Sequence, residues 1–174
     1  MDLLLAEQKT RLYMPVPPQE EQTIQLDEKD IEILRLLQED AKLTVREVAD
    51  RIHLSPTPTH DRIKRLEKNK VIRKYAALVD HRKVNKPLVV LCQVSLKDHD
   101  KKTAHEFVQA IVSLKEVISC YNISGDYDFM LKIVAASMES YHDFFIGYIS
   151  GIKGIGQTKS IFVMDVIKET HEVI

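Results

Sequence analysis

The stretch from Thr44 to Lys74 constrains the fold most strongly, because it contains two short helical patterns joined by a tight turn. Thr44 is a natural N-cap. The residues after it follow the i, i+3, i+4, i+7 spacing of a helix face that packs on a core: Val45, Val48, Ala49 and Ile52. The connection His53-Leu54-Ser55 requires a residue that tolerates positive φ, a region in which histidine is enriched. The pattern therefore predicts a helix-turn-helix.

The second helix of this pair begins in a proline-rich sequence. Ser55 is expected to cap it, and Pro56 takes the first helical position, where a missing N–H is harmless. Ile63 and Leu66 are expected to point inward. The remaining side chains are left to project from the outer faces: Thr57, Thr59, His60, Asp61 and Lys64. A helix presented in this way fits the major groove of DNA.

The charge of this region supports the same interpretation. Residues 42–74 contain ten basic and four acidic residues, a local charge of +6, whereas the whole chain carries −1 and the remainder therefore −7. Neutralising phosphates is the main sequence-independent contribution to DNA affinity. The alternative is a solvated basic helix on an ordinary domain. We expect base-edge contacts from Thr57, Thr59, His60 and Lys64, and phosphate contacts from Arg62, Arg65, Lys68, Lys70 and Arg73.

The sequence divides into four segments. Residues 1–25 contain Pro15, Pro17 and Pro18 and are interpreted as a mobile arm, with Met14 as an alternative biological start. Residues 26–79 are predicted to form a winged helix-turn-helix. In this segment a first helix with Ile31, Leu34 and Leu37 on one face, widened by Ile33, supports the pair, and a strand over Val71–Val79 forms the wing. Residues 80–87 are a polar hinge, and residues 88–174 form a second domain.

The second domain alternates strands and helices. The second of its two helices has Met138, Tyr141, Phe145 and Tyr148 on one side. The predicted elements are, in chain order, strand Leu88–Leu96, helix Lys101–Leu114, strands Val117–Ile123 and Asp128–Ala135, helix Met138–Ile149 and strand Lys159–Ile167. This order predicts a ferredoxin-like βαββαβ domain with a four-stranded antiparallel sheet, so the whole chain is of the α+β class. Two helices cover one face of such a sheet. The other face is too apolar for water, which predicts a homodimer.

Catalytic, metal and membrane signatures are missing from the sequence. The seven histidines are scattered, with no HExxH motif, and Cys92 and Cys120 lack CxxC spacing, so we expect no metal site, no cofactor and no enzymatic activity. The two cysteines are expected to be reduced in a cytoplasmic protein, with a bridge between adjacent strands as the alternative. No apolar run approaches the roughly 20 residues that span a bilayer, so no membrane association is expected.

Two glycine-containing loops are candidates for binding a small zwitterion. Ser124-Gly125-Asp126-Tyr127-Asp128 joins the second and third strands, and Gly154 to Thr158 leads into the fourth. Glycine exposes backbone N–H groups, and compact polar side chains supply further partners. The alternative is that Gly125-Asp126 is simply a hairpin turn. The candidate effector residues are Ser124, Gly125, Asp126, Tyr127, Asp128, Gly156, Gln157 and Thr158.

Several spaced motifs resemble the Lrp/AsnC (feast/famine) family of regulators. They are Leu26-Asp27-x-x-Asp30-x-x-Ile33-Leu34, Leu54-Ser55-Pro56-Thr57-Pro58, Arg62-Ile63-x-Arg65-Leu66-Glu67 and Ser124-Gly125-Asp126-Tyr127-Asp128. The chain departs from the family in His53, where a turn glycine is usual, and in its longer N-terminal arm. The resemblance implies a winged helix-turn-helix joined to a RAM-type βαββαβ domain that dimerises and senses an effector, usually an amino acid, between subunits.

The resemblance also implies function and assembly. Such proteins are transcriptional regulators that bind double-stranded DNA, form homodimers and often assemble into octamers. A second hypothesis is an enzyme, since haem-pathway decarboxylases resemble this family, although the local charge of +6 and the Ser-Pro-Thr-Pro helix start disfavour it. A third is a sensor module that acts only through protein partners.

Overall fold

The computed structural model describes residues 24–98 and 100–174. The helices among these residues are α1 (Glu28–Glu39), α2 (Val45–Arg51), α3 (Pro56–Lys68), α4 (Lys101–Val112) and α5 (Met138–Phe144), the last followed directly by a π-helical turn (Phe145–Ile149). The strands are β1 (Leu88–Leu96), β2 (Val117–Asn122), β3 (Phe129–Ala135) and β4 (Ile155–Phe162). The predicted arm over residues 1–25 lies, apart from its last two residues, outside the described part.

The described residues divide into two compact units. One contains residues 24–78 together with the C-terminal residues 167–174, and the other contains residues 79–166. The backbone N–H of Val173 donates to Oε1 of Gln38 in α1 at 3.3 Å, a contact that the sequence did not predict. The domain limits derived from the sequence, 26–79 and 88–174, remain a prediction.

The core of the first unit is formed where α1, α2 and α3 meet. Its buried residues are Ile33, Leu34, Val48, Ile52, Ile63 and Leu66. The predicted inward stripes of α2 and α3 are confirmed. The stripe predicted for α1 was shifted, because Ile33 is fully buried whereas Ile31 and Leu37 are only half-buried. The buried face of α1 also contains the carboxylate of Asp30, and this carboxylate binds Arg62 of α3.

The strand predicted over Val71–Val79 does not form. Within the part of the chain that the structure describes, residues 73–80 have no regular secondary structure and pair with none of the four strands. Several of their apolar side chains are exposed, among them Leu78 and Val79. A strand requires a neighbour for its backbone hydrogen bonds, and a favourable residue pattern does not supply one.

The second unit has the predicted ferredoxin-like fold. Its sheet order is β2-β3-β1-β4, with every pair antiparallel. Alternate residues of β1 and β3 meet Phe107, Val108 and Ile111 of α4 and Tyr141 and Phe144 of α5 in one core, so both helices lie on the same face.

The two cysteines are both thiols in the structure. Cys92 in β1 and Cys120 in β2 both pair with Leu131 of β3, so a whole strand lies between them. The alternative of a bridge between adjacent strands is therefore wrong. Burial raises the pKa of the Cys92 thiol.

The helix predicted over Met138–Ile149 changes type at Phe145. The π-helical turn adds a residue to one turn, which rotates the following side chains relative to an α-helix. Ile149 is consequently buried and Tyr148 exposed. In the preceding α-helical part Tyr141 and Phe144 are buried, whereas Met138, which was predicted to lie on one side with Tyr141, Phe145 and Tyr148, is exposed.

The last strand was predicted too late in the chain. β4 begins at Ile155 rather than Lys159 and ends at Phe162 rather than Ile167. The limits of β4 are set by its pairing with β1: Ile155 pairs with Leu96 at one end of β1, and Phe162 pairs with Val90 near the other end. Met164 and Ile167, beyond the last residue that β1 can pair, are almost fully exposed.

Candidate nucleic-acid interface and effector loops

The helix-turn-helix is built from local interactions. The Oγ1 of Thr44 accepts the N–H of Glu47 at 3.2 Å, and Oε2 of Glu47 accepts the N–H of Thr44 at 2.7 Å, which is a capping box. The hydrogen bond from the Thr44 backbone lowers the pKa of Glu47. His53 has φ of 56°, as the turn requires, and the N–H of Leu54 closes the turn on the carbonyl of Ala49 at 3.0 Å. The predicted turn is confirmed.

The start of α3 differs from an ordinary cap. Ser55 occupies the N-cap position with extended backbone, as predicted, but its hydroxyl makes no cap hydrogen bond with the described residues. An N-cap side chain normally accepts from the second or third helical N–H. Here the third helical residue is Pro58, which has no N–H. The prolines define this helix start through their fixed φ rather than through a side-chain cap.

The outer face of α3 carries fewer candidate base contacts than the sequence predicted. Thr57, His60 and Lys64 are exposed, and the side chain of Lys64 is 61% accessible. Thr59, in contrast, is 0% exposed, and its hydroxyl donates to the carbonyl of Ser55 at 3.0 Å. The prediction that Thr59 projects outward was wrong, because α3 buries this position against its own first turn and the core. Three base-contact candidates remain.

Two arginines that were assigned to phosphates bind a carboxylate inside the protein. The Nη1 of Arg62 donates to Oδ1 of Asp30 at 2.8 Å and to Oδ2 of Asp27 at 2.6 Å. The Nη2 of Arg65 donates to Oδ2 of Asp30. Asp27 and Asp30 hold the pKa of Arg62 above its ordinary value. Arg62 is therefore a poor candidate for a phosphate contact, whereas the side chain of Arg65 is more accessible, 44% against 28% for Arg62.

The remaining phosphate candidates follow one another at the end of α3. Lys68, Lys70 and Arg73 are all exposed, and Lys70 has φ of 59° in the turn that ends the helix. This turn directs the chain away from α3 and leaves three cations close together in sequence. A run of exposed cations beside a reading helix suits contacts with flanking phosphates.

Glu67 connects α3 to the segment that follows it. Its Oε2 accepts from Nζ of Lys64 at 2.8 Å, and its Oε1 accepts from the hydroxyl of Tyr75 at 3.1 Å. The hydrogen bond from Lys64 is the main reason why the pKa of Glu67 is lowered. Desolvation, reinforced by Glu67, raises the pKa of Tyr75 to about 12, so its hydroxyl is a donor at neutral pH.

The two predicted effector loops lie on either side of the end of β1. The first precedes β3, and Oδ2 of Asp128 accepts the N–H of Leu96 at 2.7 Å. The second belongs to β4 from Ile155 onward, with only Gly154 before the strand, and the N–H of Gln157 donates to Oγ of Ser95 at 3.0 Å. Because β1 is hydrogen-bonded to both β3 and β4, the fold brings together two segments that are about 30 residues apart.

The individual residues of these segments differ in their surroundings. Ser124, Gly125 and Asp126 are exposed, Tyr127 is half-buried, and Gly125 has φ of 110°, which favours glycine. A Cβ added to Gly156 would lie 3.3 Å from Oγ of Ser95, so glycine permits the close approach of β4 to β1 here. Thr158 is half-buried and pairs with Val94, a core residue, and so points toward the helix-covered side of the sheet.

Three residues that shape these sites were not predicted as site residues. Asp30 acts through Arg62 and Arg65, Ser95 through Gln157 and Tyr75 through Glu67, all of them partners in another element. In the sequence, the one local sign of such a role was Asp30, a polar residue on an otherwise apolar helix face. Within residues 24–98 and 100–174, no group of three or more histidine, cysteine, aspartate or glutamate residues could hold a metal ion. None of the described helices is long and apolar enough to cross a membrane.

Comparisons with known proteins identify relatives of both halves of the chain. A model of winged helix-turn-helix DNA-binding domains matches residues 26–73, and a model of the Lrp/AsnC ligand binding domain matches residues 89–173. The leucine-responsive regulatory protein of Haemophilus influenzae is 34% identical over 149 residues, which cover 86% of this chain and 90% of that protein. The transcriptional regulator AzlB of Bacillus subtilis is 36% identical over 150 residues, 86% of this chain and 96% of AzlB.

Solved structures show the same similarity. An AsnC family transcriptional regulator from Agrobacterium tumefaciens is 35% identical with a TM-score of 0.81, and the match covers 86% of this chain and 97% of that one. A transcriptional regulator from Neisseria meningitidis, determined as a complex with L-Met, is 33% identical with a TM-score of 0.80, covering 84% and 95%. Both matches extend over the helix-turn-helix and the βαββαβ domain.

Proposed function

The chain belongs to the Lrp/AsnC family of transcriptional regulators. We propose that α3 reads DNA and that the βαββαβ domain binds an amino acid. The proposal that the chain binds DNA through α3 rests on the exposed polar face of this helix. Thr57, His60 and Lys64 are exposed on it, whereas the opposite face is anchored in the core by Ile63 and Leu66. A helix that packs on the core with one face and exposes polar side chains on the other is suited to binding in the major groove.

The phosphate contacts come from Arg65, Lys68, Lys70 and Arg73. Support comes from their exposure and from the local charge of +6 against a chain that is otherwise acidic. Arg62 does not belong to this set, because it binds two carboxylates of the protein: Asp30 in α1 and Asp27, the N-cap of α1. The proposed interface therefore separates residues that hold α3 in place from residues that contact DNA.

The proposed effector is an amino acid bound near the end of β1. Support comes from the two segments that meet there, with the exposed Asp126 on one side and Gln157 on the other. An ammonium group needs acceptors such as a carboxylate, and a carboxylate needs donors such as exposed N–H groups near glycine. The relative from Neisseria meningitidis, in complex with L-Met, supports this class of ligand. The regulator would act in the cytoplasm, with no catalytic role.

We propose a homodimer, which the sheet face supports, and further assembly into an octamer, which rests on the family resemblance alone. Support comes from the sheet face opposite the helices, where Leu91 pairs with Ile161 and Met130 pairs with Tyr121. Ile161 and Tyr121 are both exposed in the single chain. A dimer would present two α3 helices to half-sites about one helical turn apart, roughly 34–36 Å.

The test is a selection of binding sites from randomised duplex DNA, followed by binding measurements at several salt concentrations. The full chain should select one preferred sequence, and Lys68→Ala should reduce the slope of log K against log salt by about 0.9. Lys115→Ala, an exposed lysine outside the proposed interface, should leave the slope unchanged. A chain that retains no duplex at low salt would overturn the DNA-binding proposal and favour action through protein partners.

The effector is tested separately by thermal unfolding in the presence of each of the twenty amino acids. A ligand that binds only the folded protein raises its stability with concentration as RT ln(1 + [L]/Kd). At least one amino acid should raise the unfolding temperature in this saturable way. If none does, the effector belongs to another chemical class, and the DNA-binding result is unaffected.

A further inference from the structure

Glu67 uses its two carboxylate oxygens for two different partners. Oε2 binds Lys64 on the outer face of α3 at 2.8 Å, and Oε1 binds the Tyr75 hydroxyl at 3.1 Å. The side chain of Glu67 is 29% accessible, less than half the value for Lys64. The carboxylate is therefore held between a reading helix and the segment that follows it, rather than rotating in solvent.

This arrangement limits the freedom of an otherwise flexible lysine. A lysine ammonium is a point charge on a long stem, with three donors and many rotamers. An exposed i, i+3 pair with a mobile carboxylate would restrict it only weakly. Here the carboxylate has a second donor, the Tyr75 hydroxyl, which fixes the position of Glu67. Since Glu67 occupies one of the three donors of Lys64, two remain available in a defined direction.

We propose that Tyr75 is a positioning residue for DNA recognition: through Glu67 it sets the direction in which Lys64 meets the base edges. The inference rests on the proposed function, because it assumes that α3 reads DNA. It adds a residue outside α3 to the determinants of sequence preference. The pair of Lys64 and Glu67 also keeps the Glu67 charge neutralised near the DNA, so that the carboxylate does not repel phosphates.

The experiment is a selection from randomised duplex DNA with four full-length proteins: wild type, Lys64→Ala, Tyr75→Phe and the double variant. Lys64→Ala should flatten the preference at one base pair. Tyr75→Phe, which removes only the hydroxyl, should weaken discrimination at that same base pair by about 2- to 10-fold, as expected for one hydrogen bond. The double variant should match Lys64→Ala, because the effect of Tyr75 passes through Lys64.

Two controls separate positioning from stability. Tyr148→Phe changes an exposed tyrosine of the βαββαβ domain that belongs to none of the proposed interfaces, and it should leave the selected sequence unchanged. Glu67→Gln keeps an acceptor for Tyr75 but removes the charge that binds Lys64, and should alter the same base pair as Tyr75→Phe. A general loss of stability would weaken binding to all sequences alike.

The outcomes are distinct. Wild-type discrimination in Tyr75→Phe, or a further loss in the double variant, would overturn the role of Tyr75 while leaving DNA binding intact. Unchanged preference in Lys64→Ala would overturn it as well, because Lys64 would then not read bases. A wild-type protein that selects no sequence would instead contradict the proposed function itself.

Discussion

Arg62 of α3 donates to Asp30 of α1 across 2.8 Å, and this carboxylate has no exposed surface. The same carboxylate accepts the N–H of Asp27 at 3.1 Å in a capping box and binds Arg65. One buried group therefore caps the start of α1 and orients the reading helix. Buried charges are tolerated in proteins when they are paired and hydrogen-bonded, as this one is.

Replacing Asp30 should destabilise the helix-turn-helix. Asp30→Asn keeps the size of the side chain and one oxygen but removes the charge that two arginines share. We expect a loss of about 2–3 kcal/mol, below the usual cost of breaking a buried pair because both arginines remain partly solvated. Urea unfolding gives the value. Asp61→Asn, at an exposed position, should stay within about 0.5 kcal/mol, and equal midpoints for the two variants would contradict the structural role of Asp30.

Asp27 should contribute a pH-dependent part of the stability. The hydrogen bond from Arg62 lowers the pKa of Asp27 below its ordinary value of 3.8. A carboxylate with a lowered folded-state pKa stabilises the protein above the unfolded value, and the contribution disappears as pH falls through the folded value. Asp27→Asn keeps an N-cap acceptor. Urea unfolding should therefore separate wild type from this variant at pH 7 and much less at pH 2.5; a separation that does not change with pH would exclude the effect.

The two threonines at the start of α3 should behave differently toward DNA. Thr57→Ala should change the selected sequence, because Thr57 is exposed on the proposed reading face. Thr59→Val should not, because Thr59 is buried and its hydroxyl bonds to Ser55 within the helix. Sites selected from randomised DNA provide the comparison. A changed preference in Thr59→Val together with an unchanged one in Thr57→Ala would mean that α3 is rotated in the complex.

The two N-cap residues should contribute unequally to stability. Thr44→Ala removes one half of a capping box and should cost about 1 kcal/mol. Ser55→Ala removes a hydroxyl that makes no cap bond with the described residues, so it should stay within about 0.5 kcal/mol. Urea unfolding of both variants measures the difference. A loss at Ser55 as large as that at Thr44 would show that its hydroxyl caps α3 in solution.

The two aspartates of the first effector segment should separate binding from folding. Asp128→Ala leaves the N–H of Leu96 without its acceptor and should cost about 1–2 kcal/mol. Asp126→Ala, at an exposed position, should leave stability within about 0.5 kcal/mol. It should abolish the stabilisation by the amino acid found in the thermal screen. Calorimetric titration decides this, and a full ligand response in Asp126→Ala would locate the effector elsewhere.

Features that depend on neighbouring residues were predictable from the sequence. The turn at His53, the cap at Thr44, the inward stripes of α2 and α3 and the element order of the second domain were all confirmed. Each depends on contacts within about four residues or on a regular spacing of apolar side chains, and these are visible in a linear sequence.

Tertiary structure decided what each polar side chain does. Arg62 and Asp30 are separated by 32 residues, as are Asp128 and Leu96, and nothing local indicates that these groups meet. Thr59 faced inward because the packing of α3 rotated that position into the core. β4 began at Ile155 because β1 offered partners there. Apolar periodicity indicates most of the elements, but strand pairing and long-range hydrogen bonds exist only after the elements have packed. These long-range partners decide whether a strand forms and which charges remain available for DNA or for an effector.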